Sequence, residues 1–212
     1  TTASPEWRLI RELLEHRADA DRRRARVAIG ELFGTGGGNA ARSPRVALIG
    51  LRGAGKSTLG RMLADDLGVP FVELSLEIEK FAGCSVAEIQ ALYGQNAYRR
   101  YERRALEEAI QIHGEAVIAS GGLVSDPATF NLMLARCTTV WLQARPEDHM
   151  SRVIEQGDLR PMATSKEAMD DLKGILAGRA AFYSKADLSL DTSAQPLAPT
   201  FKLLRTMVRD AL

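Results

Sequence analysis

The chain has 212 residues, of which 45% are hydrophobic and 26% charged, with a net charge of +1. That balance suits one moderate globular domain plus an appendage and excludes polyanion binding as a whole-chain property. Two cysteines, Cys84 and Cys137, without C-x-x-C spacing exclude a disulfide scaffold or a cysteine zinc site.

At the N-terminus there is neither an initiator Met nor an apolar signal segment, so a processed or truncated piece of something longer is expected. No run approaches the roughly 18 apolar residues of a membrane span, and the expected location is cytoplasmic. Residues 1–33 read as a helical, Arg-rich linker. Leu9, Ile10, Leu13 and Leu14 form one apolar stripe, and Ala25, Ala28, Ile29, Leu32 and Phe33 form another. Arg17, Arg22, Arg23, Arg24 and Arg26 lie between them, either as a solvated face or as a connector near DNA or a partner subunit, and the apolar stripe is expected to pack on its own domain or a second copy. Residues 34–44, with Gly34, Gly36, Gly37 and Gly38, form a flexible connector. Residues 45–212 form the main domain.

Within it, strands are predicted at Val46–Ile49, Phe71–Leu74, Ala116–Ser120, Thr138–Gln143 and Leu188–Leu190. Helices are predicted at Ser57–Leu67, Ser85–Tyr93, Asn96–His113, Pro127–Ala135, Pro146–Gln156, Lys166–Lys185 and Thr200–Leu212. Asp126-Pro127 is a helix start, a capping carboxylate followed by proline. The stretch from Gln156 to Ser165 reads as an exposed loop. Strand–helix alternation argues an α/β fold with a parallel sheet covered on both faces.

The most informative stretch is Gly50-Leu51-Arg52-Gly53-Ala54-Gly55-Lys56-Ser57, a match to G-x-x-x-x-G-K-[ST], the Walker A P-loop. A strand precedes it and a helix follows, as the motif requires. Its glycines let N–H groups turn around an anion, Lys56 adds positive charge, Ser57 can hold Mg²⁺, and the helix start adds its dipole. Gly50, Gly53, Ala54, Gly55, Lys56, Ser57 and Thr58 are therefore the phosphate or nucleotide residues.

From about Arg45 to Thr192 the residues resemble shikimate kinase, a P-loop kinase of the nucleoside-monophosphate-kinase type. Phe71-Val72-Glu73-Leu74-Ser75 sits where that family has a strand ending in Asp-x-Asp. Gly94-Gln95-Asn96-Ala97-Tyr98-Arg99-Arg100-Tyr101-Glu102 resembles its Gly-Glu-x-x-Phe-Arg-x-x-Glu. Ser120-Gly121-Gly122-Leu123 sits at its three glycines, and Arg160-Pro161-Met162 matches the lid. Arg152 falls near the adenine-flanking Arg, and Arg179, followed by Tyr183, matches the second acceptor-carboxylate Arg. The resemblance implies a three-layer P-loop kinase fold with a five-stranded parallel sheet. It places Arg152 and Arg160 with the nucleotide, and Glu73, Ser75, Tyr98, Arg99, Gly121, Gly122, Leu123 and Arg179 around the acceptor pocket.

Four positions depart from the family. Ser75 replaces the hydroxyl-binding Asp and cannot take a proton at neutral pH without a base beside it. Glu73 replaces the Asp that supports Mg²⁺, Leu123 replaces the third glycine, and Gln95 replaces the Glu of Gly-Glu. The phosphate half is intact and the acceptor half is altered. This pattern is similar to the C-terminal domain of helix-turn-helix regulators of benzoate degradation, whose effector is benzoyl-CoA. The expectation is therefore an effector domain binding benzoyl-CoA or another aryl-CoA, with no cofactor required, DNA contacted through an upstream domain, and a possible homodimer. The alternative is an active small-molecule kinase using ATP and Mg²⁺, with Glu73 or water replacing the lost carboxylate. A protein that merely holds or hydrolyses nucleotide is a third reading. His16, His113 and His149 are scattered and read as structural. Cys84, Cys137 and Trp141 read as core. Tyr98, Tyr101 and Phe81 could stack on a ligand or simply pack.

Overall fold

The computed structural model describes residues 44–121, 126–155, 166–193 and 196–212. The expectations for the segment 1–33, for the connector up to residue 43, for Gly122, Leu123 and Arg160, and for the loop 156–165 lie outside those residues.

The elements alternate as the sequence predicts. In chain order they are β1 (Arg45–Ile49), α1 (Lys56–Leu67), β2 (Phe71–Glu73), α2 (Leu74–Ala82), the short α3 (Val86–Glu88), a π-helical turn (Ile89–Tyr93) and α4 (Gly94–Ile112). Then come β3 (Ala116–Ala119), α5 (Pro127–Arg136), β4 (Thr138–Gln143), α6 (Pro146–Glu155), α7 (Lys166–Tyr183), β5 (Leu188–Asp191) and α8 (Leu197–Ala211). The five strands form one parallel sheet in the order β2-β3-β1-β4-β5. Chain direction across the sheet reverses beside β1, and the carboxyl ends of β1, β2 and β3 carry Gly50, Glu73 and Ser120. A reversal of this kind is where open α/β sheets bind ligands.

Buried strands with helices on both faces are apolar on both sides. Along β1, Ala47 and Ile49 join the core cluster of α2 and α4, while Val46 and Leu48 join the one formed with α1 and α8. Arg45, at the start of β1, is buried yet satisfied. Its Nε donates to the carbonyl of His113, the C-cap of α4, at 2.6 Å and its Nη2 to that of Ile110 in the last turn at 2.9 Å. A cation is favoured at a helix C-terminus.

Two predicted elements need correction. The helix expected over Ser85–Tyr93 is one helical turn, capped by a Ser85–Glu88 capping box, followed by the π turn Ile89–Tyr93. A whole helix, α2, forms over residues left without an element. Its sequence Leu74-Ser75-Leu76-Glu77-Ile78-Glu79 alternates polar and apolar like a strand, which hides the helical stripe of Leu74 and Ile78 that it buries. The strand predicted to Leu74 therefore ends at Glu73.

Candidate active site

β1 ends at Gly50, and the loop to Gly55 turns on glycines with positive φ: Gly50 at 143°, Gly53 at 79° and Gly55 at 90°. Gly50 has a second reason to lack a side chain. A Cβ there would sit 2.4 Å from the Leu142 carbonyl oxygen of β4. Gly55 serves as N-cap of α1 without a side-chain hydrogen bond, so the first N–H groups of α1 face the loop. The Lys56 ammonium donates to the Gly50 carbonyl at 2.9 Å and the Leu51 carbonyl at 2.8 Å. Burial pushes its pKa down to about 8; Glu73 opposes this, and Arg179 and Arg52 add to it. Thr58 stands exposed on the first turn.

The Ser57 hydroxyl donates to Glu73 Oε1 at 2.9 Å, and Arg61 Nη2 lies 4.0 Å from Glu73 Oε2. Glu73 thus closes β2 against the start of α1. Among the described residues no group of three or more His, Cys, Asp or Glu could hold a metal by itself. A hydroxyl backed by one carboxylate is a donor set that fits Mg²⁺, which keeps waters and takes its other oxygens from phosphates.

α6 braces the loop from outside. His149 is buried, and its Nδ1 lies 2.9 Å from the Arg52 carbonyl. One turn on, Arg152 Nη1 donates to the Gly53 carbonyl at 3.3 Å and to Thr192 Oγ1 at 3.0 Å, while Nη2 donates to the Thr192 carbonyl at 2.6 Å. Burial lowers the His149 pKa, which the bond to Arg52 opposes.

Several residues expected around an acceptor lie on α4 and α7. Tyr98 packs in the core, and its hydroxyl donates to Glu102 Oε1 at 3.1 Å. Glu102 is fully buried, and its Oε2 has no hydrogen-bond partner among the described residues; the same holds for Arg99 Nε beside it. Burial pushes the Glu102 carboxyl up to about 7. The Tyr98 bond opposes that, Asp126 adds to it, and Arg179 and Arg99 pull it back. A Cβ on Gly121 would meet the Tyr98 hydroxyl at 3.1 Å and Glu102 Oε1 at 3.9 Å. Arg179 of α7 is within electrostatic reach of both Glu102 and Lys56, so the two halves of the site meet there. Ser75, half-buried on the first turn of α2, stands two residues beyond Glu73. Tyr101 and Phe81 are half-buried against the core, with the Arg104 guanidinium 4.5 Å above the Phe81 ring. Trp141 stacks on Tyr183 with centroids 5.6 Å apart.

The predicted phosphate residues Gly50 to Ser57 thus come together with Glu73 and Arg152, and Arg99 and Arg179 converge on Glu102. Sequence reasoning missed His149, Thr192 and the burial of Glu102. His149 binds a backbone carbonyl 97 residues away, a contact without any local pattern. Glu102 was visible only as part of the Arg-x-x-Glu match.

The shikimate kinase family profile matches residues 52–207. The shikimate kinase of Zymomonas mobilis subsp. mobilis is 38% identical over 151 residues, covering 71% of this chain and 85% of the relative. That of Moorella thermoacetica is 30% identical over 164 residues, covering 77% of this chain and 94% of the relative. Among solved structures, shikimate kinase from Acinetobacter baumannii in complex with shikimate aligns with a TM-score of 0.69 at 26% identity, covering 80% of this chain and 95% of that one. Relatives matched over most of their length are thus kinases. That overturns the expectation of a benzoyl-CoA-sensing domain of a transcriptional regulator and favours the kinase alternative. No helix among the described residues is long and apolar enough to cross a membrane.

Proposed function

The chain belongs to the shikimate kinase family, and we propose that it is an active kinase transferring the γ-phosphoryl group of ATP to a hydroxyl of a small carboxylated acceptor, shikimate first. The observation that carries this reading is the meeting of two anion sites. Arg179 lies within electrostatic reach of Lys56 on one side and, together with Arg99, of Glu102 on the other. A phosphate clamp and a carboxylate clamp that close together fit an acceptor that is itself an anion. The Acinetobacter baumannii relative carrying shikimate supports the choice of acceptor.

In this reading the P-loop N–H groups and Lys56 hold the β- and γ-phosphates, and Arg152 flanks the nucleotide. Ser57, backed by Glu73, holds Mg²⁺, which supplies neutralisation of phosphate charge. ATP and Mg²⁺ replace the expectation that no cofactor is required. Arg99 and Arg179 take the acceptor carboxylate. The acceptor hydroxyl oxygen forms the new bond to the γ-phosphorus as the bond to the β–γ bridging oxygen breaks. ADP leaves, and the hydroxyl proton passes to water. The transition state of such transfers is loose, so positioning and charge stabilisation dominate and a strong base is not essential. Ser75 in place of a carboxylate therefore lowers the rate without abolishing it. Glu73 is drawn toward the Mg²⁺ side of the site by its bond from Ser57, with Arg61 Nη2 4.0 Å away.

The test is ADP release from ATP and Mg²⁺, with and without shikimate. Turnover that rises with shikimate and saturates is expected. ADP release indifferent to shikimate would overturn the acceptor assignment.

A further inference from the structure

We propose that His149 is a positioning residue for phosphate binding: by holding the Arg52 carbonyl on the outside of the P-loop, it keeps the Gly53 N–H turned toward the phosphates. The proposal rests on the nucleotide-binding reading of the loop and adds to it a side chain that touches no ligand.

The geometry begins with the peptide plane. A trans peptide points its C=O and N–H in opposite directions. The Arg52 carbonyl meets His149 Nδ1 at 2.9 Å, so the Gly53 N–H of the same peptide points away from α6. A carbonyl oxygen can only accept, so the proton on that nitrogen is fixed and Nδ1 is the donor. The ring is 2% exposed, and burial disfavours its charged form. A neutral imidazole carries one N–H, and here it is committed to the loop.

The peptide needs holding because Gly53 follows it. Gly53 has φ of 79°, and glycine lets the preceding peptide flip at little cost. A flipped peptide would present a carbonyl oxygen to the phosphates in place of a donor. The next carbonyl is held the same way, since Arg152 donates to Gly53. Residues 149 and 152 lie three apart on α6 and so share a face. One helix face therefore holds two consecutive P-loop carbonyls; the Ala54 N–H behind the second closes the turn onto the Leu51 carbonyl at 3.2 Å, which leaves the Gly53 N–H as the donor that His149 turns inward for an anion.

An N–H bound to the β-phosphate acts in both ground and transition states, so its loss raises KM for ATP far more than it lowers kcat. Loss of a merely structural contact would instead lower the melting temperature and leave KM unchanged. The test compares His149→Asn, His149→Gln and His149→Leu with the wild-type chain. The readouts are ADP calorimetry, melting temperature, and KM for ATP in the shikimate-dependent assay. Asn places an amide N–H close to where Nδ1 stands, and Gln places it farther out. The expected results are about tenfold weaker ADP binding in His149→Leu, the scale of one lost buried donor, substantial recovery in His149→Asn, and little in His149→Gln. If His149→Leu does not fold, the Asn–Gln comparison decides. Equal ADP affinity in folded Asn and Gln variants, or unchanged affinity in folded His149→Leu, overturns the proposal while wild-type ADP binding upholds the nucleotide reading. A wild-type chain that binds no ADP overturns both.

Discussion

Ser75 is the residue at which the site departs most from what the chemistry would favour. It stands half-buried on the first turn of α2, two positions past Glu73. A serine there can accept a hydrogen bond from an acceptor hydroxyl, but a carboxylate would orient that hydroxyl with a charge-assisted bond, which is roughly twice as strong. The helix start also favours negative charge, so a carboxylate at this position is tolerated by the fold. Ser75→Asp is therefore expected to raise kcat/KM for shikimate roughly tenfold, less than a fully positioned acid–base group contributes, because the transfer depends little on a base. Affinity for ADP, which binds the other half, should stay within about twofold. A kinetic comparison of the two chains checks this, and an Asp variant no better than serine would show that another group already orients the hydroxyl. The residue scale is also where sequence reading misled. The losses at Ser75 and Leu123 suggested a degenerate site. The similarity across the whole domain outweighs them, because phosphoryl transfer depends more on charge and position than on a base.

At the scale of elements, the P-loop depends on how closely β1 and β4 pair. Leu48 aligns with Val140 and Ile49 with Trp141, which brings the Leu142 carbonyl against Gly50. A methyl group on Gly50 would sit 2.4 Å from that oxygen, and the obstacle is backbone of a buried strand. The left-handed φ adds strain for any L side chain. Gly50→Ala is expected to cost about 3 kcal/mol, which lowers Tm by roughly 6–12 °C in a domain of this size. Gly68→Ala is the control. Gly68 also has positive φ, at 67°, but a Cβ there meets nothing within 4 Å, so the cost should be only about 1 kcal/mol. Thermal melts of both variants separate the clash from the strain. The strands were legible in the sequence because each is a short apolar run beside Gly, Pro or a polar turn. α2 was not, because its period-2 pattern mimics a strand. Glu102 was not, because a carboxylate on so charged a helix reads as solvent-facing, although it falls on the same face as the apolar stripe of Ala97, Tyr98, Ala105, Leu106, Ala109 and Ile110.

For the molecule as a whole, two buried titratable groups set opposing pH slopes. Burial raises the Glu102 pKa from its ordinary 4.5 to about 7. The folded chain thus binds more protons than the unfolded chain between those values, and stability falls as pH rises through that window. His149 has the opposite sign. Burial lowers its pKa from 6.5, so the unfolded chain binds more protons as pH drops below that value, and stability is lost toward acid. Carboxylates held low by hydrogen bonds, such as Asp126 and Asp191, lose their contribution only at still lower pH. Glu102→Gln removes one slope and keeps the size and hydrogen-bonding capacity of the side chain. Melting temperature measured against pH should therefore rise with pH more steeply in Glu102→Gln than in the wild-type chain, with the gap widest near pH 7. Parallel curves would mean that Glu102 is ionised throughout, held so by Arg99 and Arg179. The two arginines would then already be neutralised from within the protein, and their attraction for an acceptor carboxylate would be correspondingly weaker. The same titration thus reports on how much of the carboxylate clamp is left for the substrate.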